Sequence, residues 1–235
     1  MSQTQHTSKQ FDAELEHIRR QVLSMGGLVE HQITAAIEAF KRNDLALFNH
    51  IIDDDSRING LERAIDELCT NVIAKRTPAA IDLRFVMMSY KIITDLERIG
   101  DEAKKIALFS RGMATSGRLS GARYPELKHL SVLVTAMLRH ALDSFARLDV
   151  ETAPENVRRD DEVDALFQAI LRQLLTYMIE DPRTISVSLD IIFIAKALER
   201  IGDHAKNISE YVIYLIKGTD VRHGSIEKIE EAARS

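Results

Sequence analysis

The sequence is poor in residues that interrupt helices or cross-link a chain. Its 235 residues include 4 Pro, 10 Gly, 1 Cys and no Trp. Few Pro and Gly favour long uninterrupted helices, and the single Cys69 excludes an intrachain disulfide. A net charge of -5 disfavours nucleic acid as the main partner, because binding to phosphates needs a basic excess. These absences predict a helical protein of a reducing compartment that does not act on nucleic acid.

Long apolar runs are also missing. No run approaches the roughly 18 apolar residues that a bilayer-spanning helix needs. The polar first ten residues lack the basic and apolar regions of a signal peptide. The sequence therefore predicts a cytoplasmic protein that meets a membrane only indirectly, through a partner.

Apolar residues recur every three or four positions along six long segments, which is the pattern of amphipathic helices. In the first segment the pattern extends from Phe11 to Phe40, and Asn43-Asp44 supplies a stop and a new N-cap. Thr77-Pro78 and Asp181-Pro182 mark turns at matching places in the two halves. Because the turns are short and the helices are roughly 30 residues long, consecutive helices must be antiparallel.

The two halves match beyond these turns. Asp44 corresponds to Asp149 and Asp55 to Asp160 at an offset of 105 residues, which falls to 102 by the third helix. The predicted fold is all-α, with two tandem pseudo-symmetric three-helix bundles of six long antiparallel helices packed side by side. The predicted divisions are a flexible N-terminus (1–10), a first unit (11–111), a linker (112–123), a second unit (124–217) and a polar C-terminal tail (218–235).

The third helix of each half carries the same six residues, Leu-Glu-Arg-Ile-Gly-Asp. In the first copy Glu97 and Asp101 are four residues apart, and in the second Glu199 and Asp203 are. On a helix each pair lies on one face, where like charges cost roughly 0.2–0.5 kcal/mol. The repeated arrangement predicts a cation near each pair.

Acids on the preceding helices lie where they can face these pairs. They are Asp53, Asp54 and Asp55, which precede Asn59 and Glu62, in the first half, and Asp160, Asp161 and Asp164 in the second. An all-oxygen set of three or four ligands suits Mg²⁺, Mn²⁺ or Fe better than a structural Zn²⁺. Ordinary ion pairs along the helix, from Lys104 and Lys105 to Asp101 and from Lys206 to Asp203, are the alternative. The residues alone leave both interpretations open.

Three further features of the repeated stretch bear on function. Gly100 and Gly202 indicate that a neighbour packs close to that helix face. His204 lies about 100° around the helix from Asp203 and is predicted to be a surface residue rather than a ligand. Arg98 and Arg200 either neutralise a neighbouring carboxylate or reach toward an anion. No phosphate-binding loop, nucleophile elbow or His-Glu-x-x-His motif is present, so no catalytic machinery is predicted.

The doubled motif, the AAIDLR stretch at 79–84 and the KGTDVRH stretch at 217–223 resemble the PhoU family of phosphate-uptake regulators. The resemblance extends from about residue 11 to 223. It implies a cytoplasmic, all-helical adaptor with no turnover of its own. Its partners would be the ATPase subunit of the phosphate ABC transporter and a phosphate-sensing histidine kinase. With plentiful phosphate it would hold the kinase in its inhibitory state and restrain uptake. A homodimer is a further expected assembly.

The resemblance also implies metal ligands, since some family members bind multinuclear clusters through Glu/Asp-x-x-x-Asp motifs. Such a site would hold Fe, Mn, Mg or Zn. By position the ligands are Asp55, Glu97 and Asp101 in the first half, and Asp160, Asp164, Glu199 and Asp203 in the second. Asn59 stands where the second half has Asp164. Because an amide ligates more weakly than a carboxylate, the second site is predicted to be the stronger.

Two other classes of protein fit parts of the sequence. One is a carboxylate-bridged metal enzyme on a helical bundle, but such sites usually include Glu-x-x-His pairs, and the motif helices contain none. The other is a metal-free scaffold in which the repeated acids bridge helices.

Overall fold

The computed structural model describes residues 9–118, 124–150, 153–221, 229 and 231. The described residues form six long helices and a single turn of 3-10 helix, Pro182–Thr184, and include no strand. The long helices are α1 (Lys9–Arg42), α2 (Leu45–Arg76), α3 (Ala80–Thr115), α4 (Pro125–Arg147), α5 (Ala153–Glu180) and α6 (Ile185–Lys217). The predicted all-α fold of six long helices is confirmed.

The helices end where the sequence predicts breaks. Asn43 has a φ of 57°, and Asp44 caps α2 by accepting a hydrogen bond from the Leu47 amide at 3.0 Å. Thr77, with a φ of 45°, closes α2 directly before Pro78. Gly218 closes α6 with a φ of 73°, a conformation that favours glycine. The turns are therefore determined by local residue chemistry.

Helices α1–α3 form one three-helix unit and α4–α6 form the other, and the units meet along α3 and α6. Near the start of α3, the Arg84 Nε donates to the Leu215 carbonyl near the end of α6 at 3.1 Å. Near the other end, the rings of Phe109 and Phe193 stack with centroids 4.9 Å apart. Since the start of one helix lies beside the end of the other, α3 and α6 are antiparallel.

A pseudo-twofold axis relates the two ends of this α3–α6 seam. Lys91 and Tyr211 correspond in sequence to Phe193 and Phe109. The Lys91 ammonium lies 5.4 Å from the centre of the Tyr211 ring, in the place that the Phe109–Phe193 stack occupies at the other end. The duplication seen in the sequence is therefore also a symmetry of the packing.

A second contact joins the units through α1 and α4. A Cβ at Gly26 would lie 2.6 Å from Leu142 Cδ1, which is too close for an unshifted side chain. Gly26 therefore lets α1 approach α4, and α1 continues through it unbroken. The buried rings of Phe85 on α3 and Phe145 on α4 stack with centroids 5.8 Å apart. The two units thus share one hydrophobic core.

The observed helices differ in extent from the predicted divisions. Residues 1–8 of the predicted flexible N-terminus lie outside the described residues, and α1 already begins at Lys9. Helix α3 continues to Thr115, four residues into the predicted linker, of which residues 119–123 are not described. In the predicted polar tail, 222–228, 230 and 232–235 are not described, whereas Val221 and Ile229 are buried.

None of the helices in the described part of the chain contains an apolar, weakly charged stretch long enough to cross a bilayer.

Candidate functional site

The first acidic cluster consists of Asp55 and Glu62 on α2 and Glu97 and Asp101 on α3. Asp55 is only 3% exposed. Its Oδ2 accepts a hydrogen bond from the Lys104 ammonium at 2.8 Å, while its Oδ1 is buried without a hydrogen-bond partner. An ionised buried carboxylate with one unsatisfied oxygen is costly. A hydrogen-bond donor or a cation next to this oxygen would offset that cost.

The other members of the first cluster repel one another. Burial raises the pKa of Glu97, and the charges of Asp101, Glu62 and Asp55 raise it further, against an opposing effect of Arg98. The pKa of Glu62 is also raised, chiefly by burial. The charge contributions at Glu97 place this carboxylate in a region of negative potential. A cation bound there would relieve the repulsion.

The second acidic cluster consists of Asp160 and Asp164 on α5 and Glu199 and Asp203 on α6. Asp160 Oδ2 accepts from the Lys206 ammonium at 2.6 Å, and Asp160 Oδ1 is buried without a partner. Glu199 repeats this pattern, because its Oε1 accepts from Lys196 at 2.5 Å and its Oε2 is buried and unpartnered.

Asp203 carries the strongest electrostatic perturbation in this cluster. Burial raises its pKa to about 6, with further contributions from the charges of Glu199, Asp160 and Asp164 and an opposing one from Lys196. The effect of these neighbours places all four predicted residues of the second half in one electrostatic environment.

Two of the lysines next to the motif, Lys104 and Lys206, pair with acids of a neighbouring helix, whereas Lys105 pairs within its own helix. Lys104 and Lys206 contact Asp55 and Asp160 on the neighbouring helices, and Lys105 contacts Glu102. The pairs with Asp101 and Asp203, which the sequence left open as the alternative to metal binding, are not formed among the described residues. Burial explains the difference, since a buried carboxylate loses more hydration than a partly exposed one and gains more from an ammonium group.

The two motif glycines allow the helices of each half to approach closely. A Cβ at Gly100 would lie 3.1 Å from Ile58 Cδ1 on α2. A Cβ at Gly202 would lie 3.2 Å from Val163 Cγ1 on α5. These contacts confirm the predicted close approach, and they bring the acid-bearing helices together.

His204 is not a surface residue, so that prediction is wrong. It is 7% exposed, and its Nδ1 lies 2.6 Å from Oδ1 of Asp95, which is 3% exposed. This pair joins α6 to α3 at the seam between the units. The position of His204 about 100° around α6 from Asp203 did not reveal its burial, because its partner comes from the other unit.

Arg200, within the second motif, neutralises a carboxylate of the other unit. Its Nε lies 3.1 Å from Oε1 of the buried Glu102, which Lys105 also contacts. Of the two roles considered for this arginine, the structure supports the neutralising one.

Glu62 was named from the sequence with the acids of the second helix, but it was not included in the predicted set of metal ligands. Glu62 lies seven residues after Asp55, two helical turns along the same face of α2. Asn59, which weakened the predicted first site, donates from Nδ2 to Asp55 Oδ2 at 3.4 Å. With Glu62, the first cluster has four carboxylates, although Asn59 is an amide.

The residues present fit a hard cation in composition. Asp55, Asp160 and Glu199 each have one buried oxygen without a hydrogen-bond partner, and oxygen ligands are those that such ions prefer. As the side chains stand, no three His, Cys, Asp or Glu residues of the described chain converge as a ready-made metal site. Lysine ammonium groups supply the positive charge instead.

The raised pKa of Asp203 predicts a pH-dependent stability. An aspartate shifted from 3.8 to about 6 binds its proton more tightly in the folded state, so its contribution to stability declines as pH rises through that window. The full linkage would be roughly 3 kcal/mol, and partial solvation reduces it to about 1 kcal/mol. In chelator-treated protein, Asp203→Asn should raise the free energy of unfolding by that amount at pH 7.5 and by almost nothing at pH 4.

Urea unfolding at the two pH values measures the difference. Asp161→Asn, on the exposed side of α5, is the matched control and should change little at either pH. A gain for Asp203→Asn that is the same at pH 4 and pH 7.5 would contradict the assignment.

The fold and the clusters define a class of protein, a duplicated three-helix bundle with one acidic cluster in each repeat. A family model described as the PhoU domain matches residues 22–109 and again 127–212. These two matches coincide with the two three-helix units. The chain belongs to the PhoU family.

Relatives match over nearly the whole chain. The phosphate-specific transport system accessory protein PhoU homolog of Pseudomonas aeruginosa is 46% identical over 230 residues, covering 98% of this chain and 95% of that protein. The phosphate-specific transport system accessory protein PhoU of Escherichia coli K12 is 44% identical over 229 residues, covering 96% and 93%.

Solved structures agree with the fold. The crystal structure of PhoU from Pseudomonas aeruginosa matches with a TM-score of 0.85 at 46% identity, over 89% of this chain and all of that one. The phosphate transport system regulatory protein PhoU from Streptococcus pneumoniae matches with a TM-score of 0.83 at 28% identity, over 90% and 99%.

Proposed function

We propose that the protein regulates phosphate transport as an accessory protein of a phosphate-specific transport system. The observation that carries this proposal is the match along nearly the full length of relatives with that name, at 44–46% identity. Because both repeats and the seam between them are covered, the likeness extends to the whole architecture rather than to one motif.

In finer detail, the protein is a cytoplasmic adaptor between the ATPase subunit of the phosphate ABC transporter and a phosphate-sensing histidine kinase. When phosphate is plentiful it holds the kinase in its inhibitory state and restrains uptake. The exposed apolar residues of α3 and α6 support a docking role, since Met87 and Leu189 occupy equivalent positions and are 41% and 44% exposed. The association of two copies into a homodimer stays a prediction.

The protein performs this role without catalytic turnover. In the described residues, the histidine nearest to a cluster in sequence, His204, is committed to Asp95 at the seam. The carboxylate-bridged enzyme considered from the sequence relies on histidine ligands beside its carboxylates, and it therefore has no support here.

Each acidic cluster is also proposed to bind a divalent or trivalent metal ion, Mn²⁺, Fe, Mg²⁺ or Zn²⁺, in a structural or regulatory role. Buried, unpartnered carboxylate oxygens on two facing helices support this proposal. Bound metal would replace the lysine ammonium groups as the counter-charge and would clamp α2 to α3 and α5 to α6. The lysine pairs themselves favour a second candidate, a metal-free scaffold in which the acids only bridge helices.

Loss of the gene should derepress the phosphate-starvation response. In cells grown with excess phosphate, alkaline phosphatase output should rise severalfold or more in the deletion strain and return to the basal level when the gene is restored. The reason is that an adaptor holding a kinase in its inhibitory state is needed only when phosphate is plentiful. Unchanged phosphatase output in the deletion strain would refute the regulatory proposal.

A pull-down separates the adaptor from other modes of regulation. Tagged protein from cells in high phosphate should retain the transporter ATPase and the sensor kinase, and an untagged strain controls for background. Recovery of neither protein under high or low phosphate would contradict the adaptor mechanism even if derepression occurs.

A further inference from the structure

The two acidic clusters are equivalent in position but differ in composition. On α2 the first cluster has Asn59 and Glu62, where α5 has Asp164 and Phe167. Each cluster therefore has four carboxylates, although they are distributed differently over the two helices. The replacement of Asp164 by Asn59 does not leave the first cluster short of an acid.

The third helices differ at one position beside the clusters. Lys196 on α6 corresponds to Thr94 on α3. The Lys196 ammonium donates to Glu199 at 2.5 Å and lies 5.5 Å from the centre of the Phe167 ring. Phe167 and Lys196 thus form a cation–π pair within the second cluster. In the first half, Thr94 instead donates to the Tyr90 carbonyl of its own helix at 3.2 Å.

The clusters consequently differ in how many carboxylates already contact an ammonium group. In the second, Lys206 contacts Asp160 and Lys196 contacts Glu199. In the first, Lys104 contacts Asp55. Within the part of the chain that the structure describes, the other three members, Glu62, Glu97 and Asp101, make no ion pair. The buried Oδ1 of Asp55 is unpartnered beside them.

Arg98 does not fill the role that Lys196 has. Its side chain is exposed, and its charge acts on Glu62 and Glu97 through space. A solvated guanidinium outside the cluster screens the acids without occupying a ligand position. Among the residues that the structure describes, a cationic group contacts the motif glutamate in the second cluster and not in the first.

We infer that the first cluster is the tighter of two sites for a divalent cation, with Glu62 as one of its ligands, and that Lys196 is a built-in counter-ion that competes with the cation at the second. A cation entering the second cluster must displace Lys196 from Glu199 and from the Phe167 ring, which breaks a charge-assisted hydrogen bond and a cation–π contact. No equivalent group has to leave Glu97. This order of affinities is the reverse of the one predicted from Asn59 alone, which made the second site the stronger.

This inference rests on the proposed metal binding, and Mn²⁺ is the probe. Full-length protein stripped with a chelator is titrated at pH 7.5, with calorimetry for affinity and the electron paramagnetic resonance signal of free Mn²⁺ for stoichiometry. The wild type should show one tight and one weaker class of site. Glu62→Gln should weaken the tight class at least tenfold and leave the weaker class unchanged. Circular dichroism and a thermal melt establish that each variant folds.

The reciprocal exchange provides the matched test. Lys196→Thr should tighten the weaker class at least tenfold, because it removes the competing ammonium group. Thr94→Lys, which places an ammonium group in the corresponding position of the first cluster, should weaken the tight class to a similar degree. Both changes copy a residue that the other half already accommodates, so neither needs a new fold environment.

The results distinguish this inference from the proposals on which it rests. If the two clusters bind Mn²⁺ with equal affinity, and neither Lys196→Thr nor Thr94→Lys changes that affinity, the inference is wrong. The proposal that the clusters bind metal would still stand. Loss of the tight class in Glu199→Gln rather than in Glu62→Gln would also overturn it. Absence of Mn²⁺ binding in the wild type and in Lys196→Thr would overturn the metal sites together with the inference, while the phosphatase assay tests the regulatory role independently.

Discussion

Replacement of His204 by alanine should lower the free energy of unfolding by about 2–3 kcal/mol, because it leaves a buried carboxyl group without its main hydrogen-bond partner. Asp95 is 3% exposed and lies 2.6 Å from His204 Nδ1. The other recorded contact of its Oδ1 is a long one to Asn207 at 3.5 Å. Without the histidine, a buried carboxylate at the seam would lose its main partner. Urea unfolding at pH 7 measures the loss.

Two comparisons make the result specific. His129→Ala, at an exposed position of α4, should change stability by less than about 0.5 kcal/mol. The double variant Asp95→Leu/His204→Leu should recover most of the loss, because replacing both members of a buried pair with apolar groups is often neutral. A single His204→Ala variant as stable as the wild type would show that Asp95 does not depend on this contact.

Phe145→Ala should cost about 3–5 kcal/mol, as expected for removal of a fully buried aromatic side chain. Phe145 is 0% exposed and stacks on Phe85 of the other unit. Its removal leaves a cavity where the two units share their core. Because the cavity weakens both units, thermal unfolding should remain one cooperative transition at a lower temperature.

Phe193→Ala is the matched control. Phe193 also stacks on a phenylalanine of the other unit, at 4.9 Å, but it is 50% exposed. Its loss should cost no more than about 1.5 kcal/mol, since an exposed ring forfeits less buried area. Splitting of the Phe145→Ala transition into two steps would indicate that the units unfold separately and would contradict a shared core.

The helices and their turns were predictable because their signals are local. Each of these signals acts within a few residues, so it can be recognised from the sequence alone. They are the apolar spacing, the Asn43-Asp44 break and the Thr77-Pro78 break. The internal repeat also placed the acids on facing helices. Periodicity and self-similarity were therefore enough to predict a fold of two three-helix units.

The partners of charged residues were not predictable in the same way. The choice of Lys104 between Asp101 and Asp55 depends on which carboxylate is more buried, and burial is a property of the assembled bundle. The orientation of His204 was judged from its own helix, whereas Asp95 comes from the other unit. Glu62 differs, because it was recognised among the acids of the second helix, and only the comparison with Asp164 directed the predicted ligand set to position 59 instead.

The contacts of the seam also define which halves can be combined. Asp95 faces His204, and the equivalent residues of the other halves are Ala197 and Glu102. If two first units paired in the same geometry, Asp95 of each would face Glu102 of the other, placing two acids together twice. If two second units paired, each His204 would face an alanine. At this contact the two halves are complementary to each other and not to their own copies, so their fusion in one chain favours the observed pairing over pairing between like halves.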